Sequence, residues 1–180
     1  MPSLTHPSSF DSIRPFEPNE LPEAFERLLA DPQFRSAMAY VFPDIPFPSF
    51  AEKLRSCRTS MDVQKTFAYP FLAHLLETAS KGGSMDSTAI DPSRRYTFVS
   101  NHRDIVLDWA FLAKFLIDNG FSTTCEIAIG DNLLSLPWVK DLVRVNKSFV
   151  VERHLPVRQM LEASKRLSAY MHYAISKKNE

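Results

Sequence analysis

The spacing of apolar residues changes character along the chain. Between residues 23 and 82 they recur at helical intervals, as in Phe25, Leu28 and Leu29 or Phe71, Leu72, Leu75 and Leu76, and prolines cut the pattern repeatedly. From Tyr96 onward, short β-branched or aromatic runs alternate with longer helical ones. "YTFVSN" from Tyr96 reads as a strand leading into a helix that reaches Asp118. "EIAIGD" and "SFVVER" read as two further strands, each followed by a helix, the last starting at Pro156. Such alternation predicts βαβ units in a mostly parallel sheet, and so an α/β fold behind a helical N-terminal section. Asn119-Gly120 predicts a left-handed helix stop. In the last helix Pro156 suits the first turn, and Val157, Met160, Leu161, Leu167, Met171, Ala174 and Ile175 form one apolar stripe. The expected organisation is an extended proline-rich arm over 1–22, a helical section over 23–92 and an α/β core over 93–180, in one structural domain. Another strand is expected after a helix of this length and none follows, so the sheet reads as truncated.

Composition narrows the function classes. At 180 residues one domain can bury a substantial core without staples, and a formal net charge of zero argues against a general nucleic-acid binder. Cys57 and Cys125 are far apart and lack metal-knuckle spacing, which points to reduced thiols in a cytoplasmic protein. The N-terminus lacks the features of a signal peptide, and no run approaches the ~18 apolar residues of a membrane span. Membrane contact, if any, is expected to be peripheral, with the aromatic segment "YVFPDIPFPSF" from Tyr40 either an interfacial surface or a loop covering the sheet.

Polar chemistry concentrates after the first expected strand. On a helix from Asp104 to Asp118, the polar side chains Asp104, Asp108, Lys114 and Asp118 fall within one arc of about 120°. That stripe begins beside His102, at the strand end where open α/β sheets bind ligands. Asp104 reads as a helix cap as well as a catalytic candidate. Asp108 lies in an apolar neighbourhood where an unpaired carboxylate is costly, so it needs a partner, and His102 is nearest in sequence. A carboxylate holding a histidine makes a general base, because it fixes the tautomer and stabilises the imidazolium. A metal site of His102, Asp104 and Asp108 is a weaker alternative. "HRD" also opens the protein-kinase catalytic loop, but Trp109 stands where that loop needs Asn, and no glycine-rich phosphate loop precedes it. No Gly-x-Ser-x-Gly elbow supports an α/β hydrolase.

"SNHRDIVLD" followed by "AIGDNLLSLPWVKDLVRVNKSFVVER" resembles the glycerolipid acyltransferase superfamily, which includes glycerol-3-phosphate and 1-acylglycerol-3-phosphate acyltransferases. The first family motif is a His with an Asp about five residues later. His102 fits, and the helix aspartate stands one place further on, at Asp108, a gap found among bacterial lyso-lipid and amino-acid-lipid members. The second block opens at Gly130, Asp131 and Asn132 and closes between Arg144 and Arg153. The resemblance implies that His102 deprotonates an acceptor hydroxyl or amine while Asp108, or Asp104, steadies the ring. It implies a thioester of acyl carrier protein or coenzyme A as co-substrate, no other cofactor, and a lipid acceptor. Arg153, Arg144 and Lys147 become candidate contacts to the acceptor's phosphate or head group, with Asn132 and Arg103 beside them. Helix-end and turn roles remain open for Arg144, Lys147, Asp131 and Asn132. A Glu-Gly pair that helps hold the acceptor is expected beyond Glu180, so the chain reads as a fragment or a shortened homologue. The competing expectation is a catalytically silent lipid- or acyl-carrier-binding chain of the same fold.

Overall fold

The structure, a computed structural model, describes residues 7–101 and 103–178. Helices α1 (Leu21–Ala30), α2 (Pro32–Val41), α3 (Phe47–Ser56), α4 (Ser60–Val63) and α5 (Tyr69–Ala79) build its N-terminal part. Prolines that interrupt the hydrophobic pattern stand at the start of α1, α2 and α3, where a first-turn amide has no helical acceptor to lose. Pro70 acts differently. A π-helical turn, Gln64–Ala68, joins α4 to α5, and the wider turn accommodates a residue with no N–H to give the Thr66 carbonyl.

The first core gathers Phe25, Leu28, Phe34, Phe50 and Phe67 from these elements. Each such side chain contributes about 1.5–3 kcal/mol on leaving water. Phe42 and Phe47 pack on it, Phe42 with its ring 5.8 Å from that of Phe50. Most of the aromatic segment therefore belongs to the core, and Tyr40 points outward at 88% exposure.

The remainder is mixed α/β: α6 (Leu107–Asp118), β1 (Ile127–Gly130), α7 (Pro137–Val145), β2 (Ser148–Val151) and α8 (Val157–Tyr173). The strands pair in parallel, Ile127 opposite Ser148 and Gly130 opposite Val151, with α7 as the crossover that parallel pairing requires. Gly120, at φ +80°, closes α6: its amide reaches the Ile117 carbonyl and that of Phe121 the Leu116 carbonyl, the paired bonds of a left-handed stop. The N-terminal arm is a packed cover, since the Val150 amide donates to the Ile13 carbonyl at 2.8 Å and Phe10 and Ile13 are buried against Phe149 and Tyr170.

Two sequence expectations need correction. Tyr96–Asn101 is not a strand: it joins no sheet among the described residues, and Val99 is 92% exposed. Its alternating pattern suits a sheet, yet among the described residues β1 pairs with β2 alone. Helix α6 starts at Leu107 and not at Asp104, because the Asp104 carboxylate accepts the amides of Val106 and Leu107 at 2.8 and 2.7 Å from outside the helix.

The arm is anchored by buried Arg14, whose guanidinium donates to Glu20 and Asp11, both at 2.9 Å. The Arg14 hydrogen bond outweighs burial and holds the Glu20 carboxyl below its ordinary value of 4.5. A depressed folded pKa stabilises above the unfolded value and is lost as pH falls through the folded one. Melting temperatures followed from about pH 5 to about pH 3 should fall more steeply for the wild type than for Glu20→Gln. Parallel curves would remove Glu20 from the acid response.

Candidate active site

The loop before α6 is organised by two carboxylates. Asp104 caps the helix as described. Asp108, in the first turn, reaches back so that its Oδ2 accepts the amides of Arg103 at 2.7 Å and Asp104 at 3.0 Å. Fixing backbone donors with a charged acceptor is among the stronger hydrogen-bonding arrangements. His102, the expected general base, lies outside the described residues.

Asp108 also lines a cavity of about 380 Å³, within the range of small-molecule sites. Trp109, Leu112 and Leu116 extend the same helix face along it, so the cavity follows α6 from Asp108 to Leu116, ~12 Å at 1.5 Å per residue. Tyr96 and Phe98, Ile127 and Ala128 of β1, and Met171 and Ile175 of the α8 end complete mostly apolar walls. Met171 and Ile175, exposed at 42% and 40%, are thus bared in part towards this space. The cavity is thus a mostly apolar space with the fixed carboxylate of Asp108 in its lining.

Beyond the strands, the structure gathers a second polar group. A Cβ placed on Gly130 would come within 2.4 Å of Asn132 Oδ1 and 2.9 Å of Arg153 Nε, so Asn132 and Arg153 meet over this glycine. Asp131 accepts the Arg153 amide at 3.1 Å and lies 3.6 Å from His154. Burial raises the Asp131 carboxyl, but the Arg153 amide and His154 outweigh it and leave the group below its usual range. Asn132 and Arg153 are exposed and face solvent as donors.

The family model described as Acyltransferase matches residues 84–179, which hold the loop, the cavity helix and both strands. The chain belongs to the acyltransferase family. No curated protein and no solved structure matches it.

Other expected site residues lie elsewhere or serve internal contacts. Arg144 donates to the carbonyls of Arg14 and Asp11, both at 2.8 Å, and stacks 4.2 Å over the Phe16 ring, clamping the N-terminal arm. Burial, with the charge of Arg14, lowers its pKa. Lys147 is buried at φ +64°, and its ammonium donates to Thr123 Oγ1 at 2.6 Å and the Thr124 carbonyl at 2.7 Å, beneath the cavity lining. Arg103 is exposed beside Asp108's anchoring bonds. The polar stripe of α6 divides: Lys114 and Asp118 pair at 2.7 Å, and Asp118 also accepts Tyr69 of α5 at 2.6 Å. Among the described residues no three His, Cys, Asp or Glu side chains converge to hold a metal, and no helix is long and apolar enough to cross a membrane.

Sequence reading missed the cavity walls. Trp109, Leu112 and Leu116 follow helical spacing, but a stripe facing a cavity is indistinguishable from one facing a core.

Gly130→Ala offers a test of the Asn132 and Arg153 pair. The added methyl should displace both side chains and weaken use of an anionic acceptor while leaving affinity for an acyl chain unchanged. Steady-state kinetics with the acceptor varied should show a raised KM, and an unchanged KM would detach the pair from acceptor binding.

Proposed function

We propose that the chain transfers a fatty acyl group from a thioester of acyl carrier protein or coenzyme A to a hydroxyl or amine of a glycerolipid or related lipid precursor. Asp108 carries this reading. Its carboxylate is fixed to the amide nitrogen bonded directly to residue 102, and it lines a long apolar cavity. His102 takes the acceptor's proton, the acceptor oxygen or nitrogen attacks the thioester carbonyl, and the carbon–sulfur bond breaks. The departing thiolate receives the proton from the imidazolium, so no covalent enzyme intermediate and no further cofactor are needed. Arg153, Asn132 and Arg103 supply donors suited to a phosphate or similar head group. The acceptor's lipid character makes peripheral contact with the inner face of the cell membrane part of the same reading.

The experiment is direct: purified chain, long-chain acyl thioester and a panel of hydroxyl and amine acceptors, with thiol release and acylated product both measured. Product formed with release of thiol supports transfer. A second reading, a silent acyl- or carrier-binding chain, draws on the commitment of Arg144 and Lys147 to internal carbonyls. Thioester bound but never consumed with any acceptor would decide for it.

A further inference from the structure

Two cations at the cavity have no part in the proposed reaction. Arg94 and Arg95 are consecutive, both line the cavity and both are exposed, so they stand where it opens to solvent. Local bonds set their place. The Arg94 amide donates to the Asp91 carbonyl at 3.0 Å and the Asp91 amide to the Tyr96 hydroxyl at 2.9 Å, which closes residues 91–96 into a turn. Within it the Asp91 carboxylate accepts the amide and hydroxyl of Ser93, at 2.9 and 2.7 Å. Arg95 donates to the Ile175 carbonyl at 2.5 Å, which fastens the turn beside the end of α8. From there Tyr96, Phe98 and Ser100 continue the cavity wall towards Arg103, whose amide is held by Asp108.

The Asn132 and Arg153 group lies apart from this pair. Arg153 precedes α8 and Ile175 follows it, so the two groups stand at opposite ends of a helix ~25 Å long and serve separate anions. The two carboxylates of the cavity lining are engaged, Asp108 by the amides of Arg103 and Asp104, and Glu126 by the Tyr170 hydroxyl and Lys178. A guanidinium presents a planar fork that matches two phosphate oxygens, and two of them in sequence favour a phosphate over a neutral polar group. We infer that Arg94 and Arg95 form a phosphate subsite at the cavity opening, and that it takes the phosphate of the donor's pantetheine arm, the group common to acyl carrier protein and coenzyme A thioesters. This rests on the acyl-transfer reading of the same cavity. The donor joins an alkyl chain, which the apolar walls suit, to a phosphate outside them, while the acceptor's head group has the donors of Asn132 and Arg153.

Two ligands that cannot be cleaved test this without turnover: a long-chain alkyl thioether of phosphopantetheine and the same thioether of pantetheine. At low ionic strength the phosphate should tighten binding by about tenfold, and added salt should shrink that gain. Arg94→Glu should abolish the gain, Arg94→Lys, which keeps the charge, should retain most of it, and both variants should bind the pantetheine thioether as the wild type does. Monoacylglycerol and its phosphate ester form a second arm, in which Arg94→Glu should change nothing. Equal affinity of the two thioethers for the wild type, or a gain that survives Arg94→Glu, overturns the subsite. Weakened binding of the monoacylglycerol phosphate ester by Arg94→Glu overturns its assignment to the donor. Failure of both thioethers to bind overturns the acyl cavity and the subsite with it.

Discussion

Replacing His102 by alanine should leave a folded protein whose acyl transfer is slower by on the order of 10²–10⁴-fold, the usual worth of a positioned general base. The neighbouring Asn101 and Arg103 are exposed and belong to neither core. The loss should lie in kcat, because the cavity proposed to take the acyl chain is lined by α6, β1 and the α8 end, where nothing is substituted. Thiol release from a long-chain thioester, measured with a saturating acceptor, reads this directly. Near-normal turnover, with circular dichroism and acyl binding unchanged, would end the general-base role.

Substitution of Asp108 should be as severe, and two variants separate its two tasks. Asp108→Asn keeps a side-chain oxygen to accept the amides of Arg103 and Asp104, so the loop should hold its shape. On the proposed acyl-transfer reading, what it loses is the negative charge that favours an imidazolium at residue 102. A fall in kcat on the order of 10²-fold or more, with a wild-type melting temperature, is the expected result. Asp108→Ala removes the amide acceptor as well. Because residues 103 and 104 are exposed, water takes up the amides and the stability cost is about 1 kcal/mol at most. If both variants keep wild-type kcat, Asp108 is a loop-holding residue and nothing more. If the asparagine variant alone is active, backbone anchoring and not charge is what the reaction uses.

Alone, the sequence determined those features that depend on local patterns. The stop of α6 at Asn119-Gly120 was legible because a left-handed residue is a demand on one backbone position, and the Asp104 cap because a carboxylate just before a helix finds the first-turn amides whatever lies around it. Strands β1 and β2, the helix between them and the helix after Pro156 followed from short apolar runs, helical spacing and one proline position in the same way. Only the tertiary structure decided what each face meets. Tyr96–Asn101 has a strand's alternation and no strand's partners, since pairing needs an edge from elsewhere in the chain. The stripe on α8 is legible as apolar, yet Val157 stays 84% exposed while Tyr170, outside the stripe, is fully buried with its hydroxyl on Glu126. Arg144 has the charge of a head-group contact, but 130 residues of chain separate it from the Arg14 carbonyl that holds it. Periodicity records what a segment can bury or bind, whereas its partner is settled by contacts distant in sequence; the cavity arises from such contacts, while the carboxylate on its wall is fixed locally by the amides of Arg103 and Asp104.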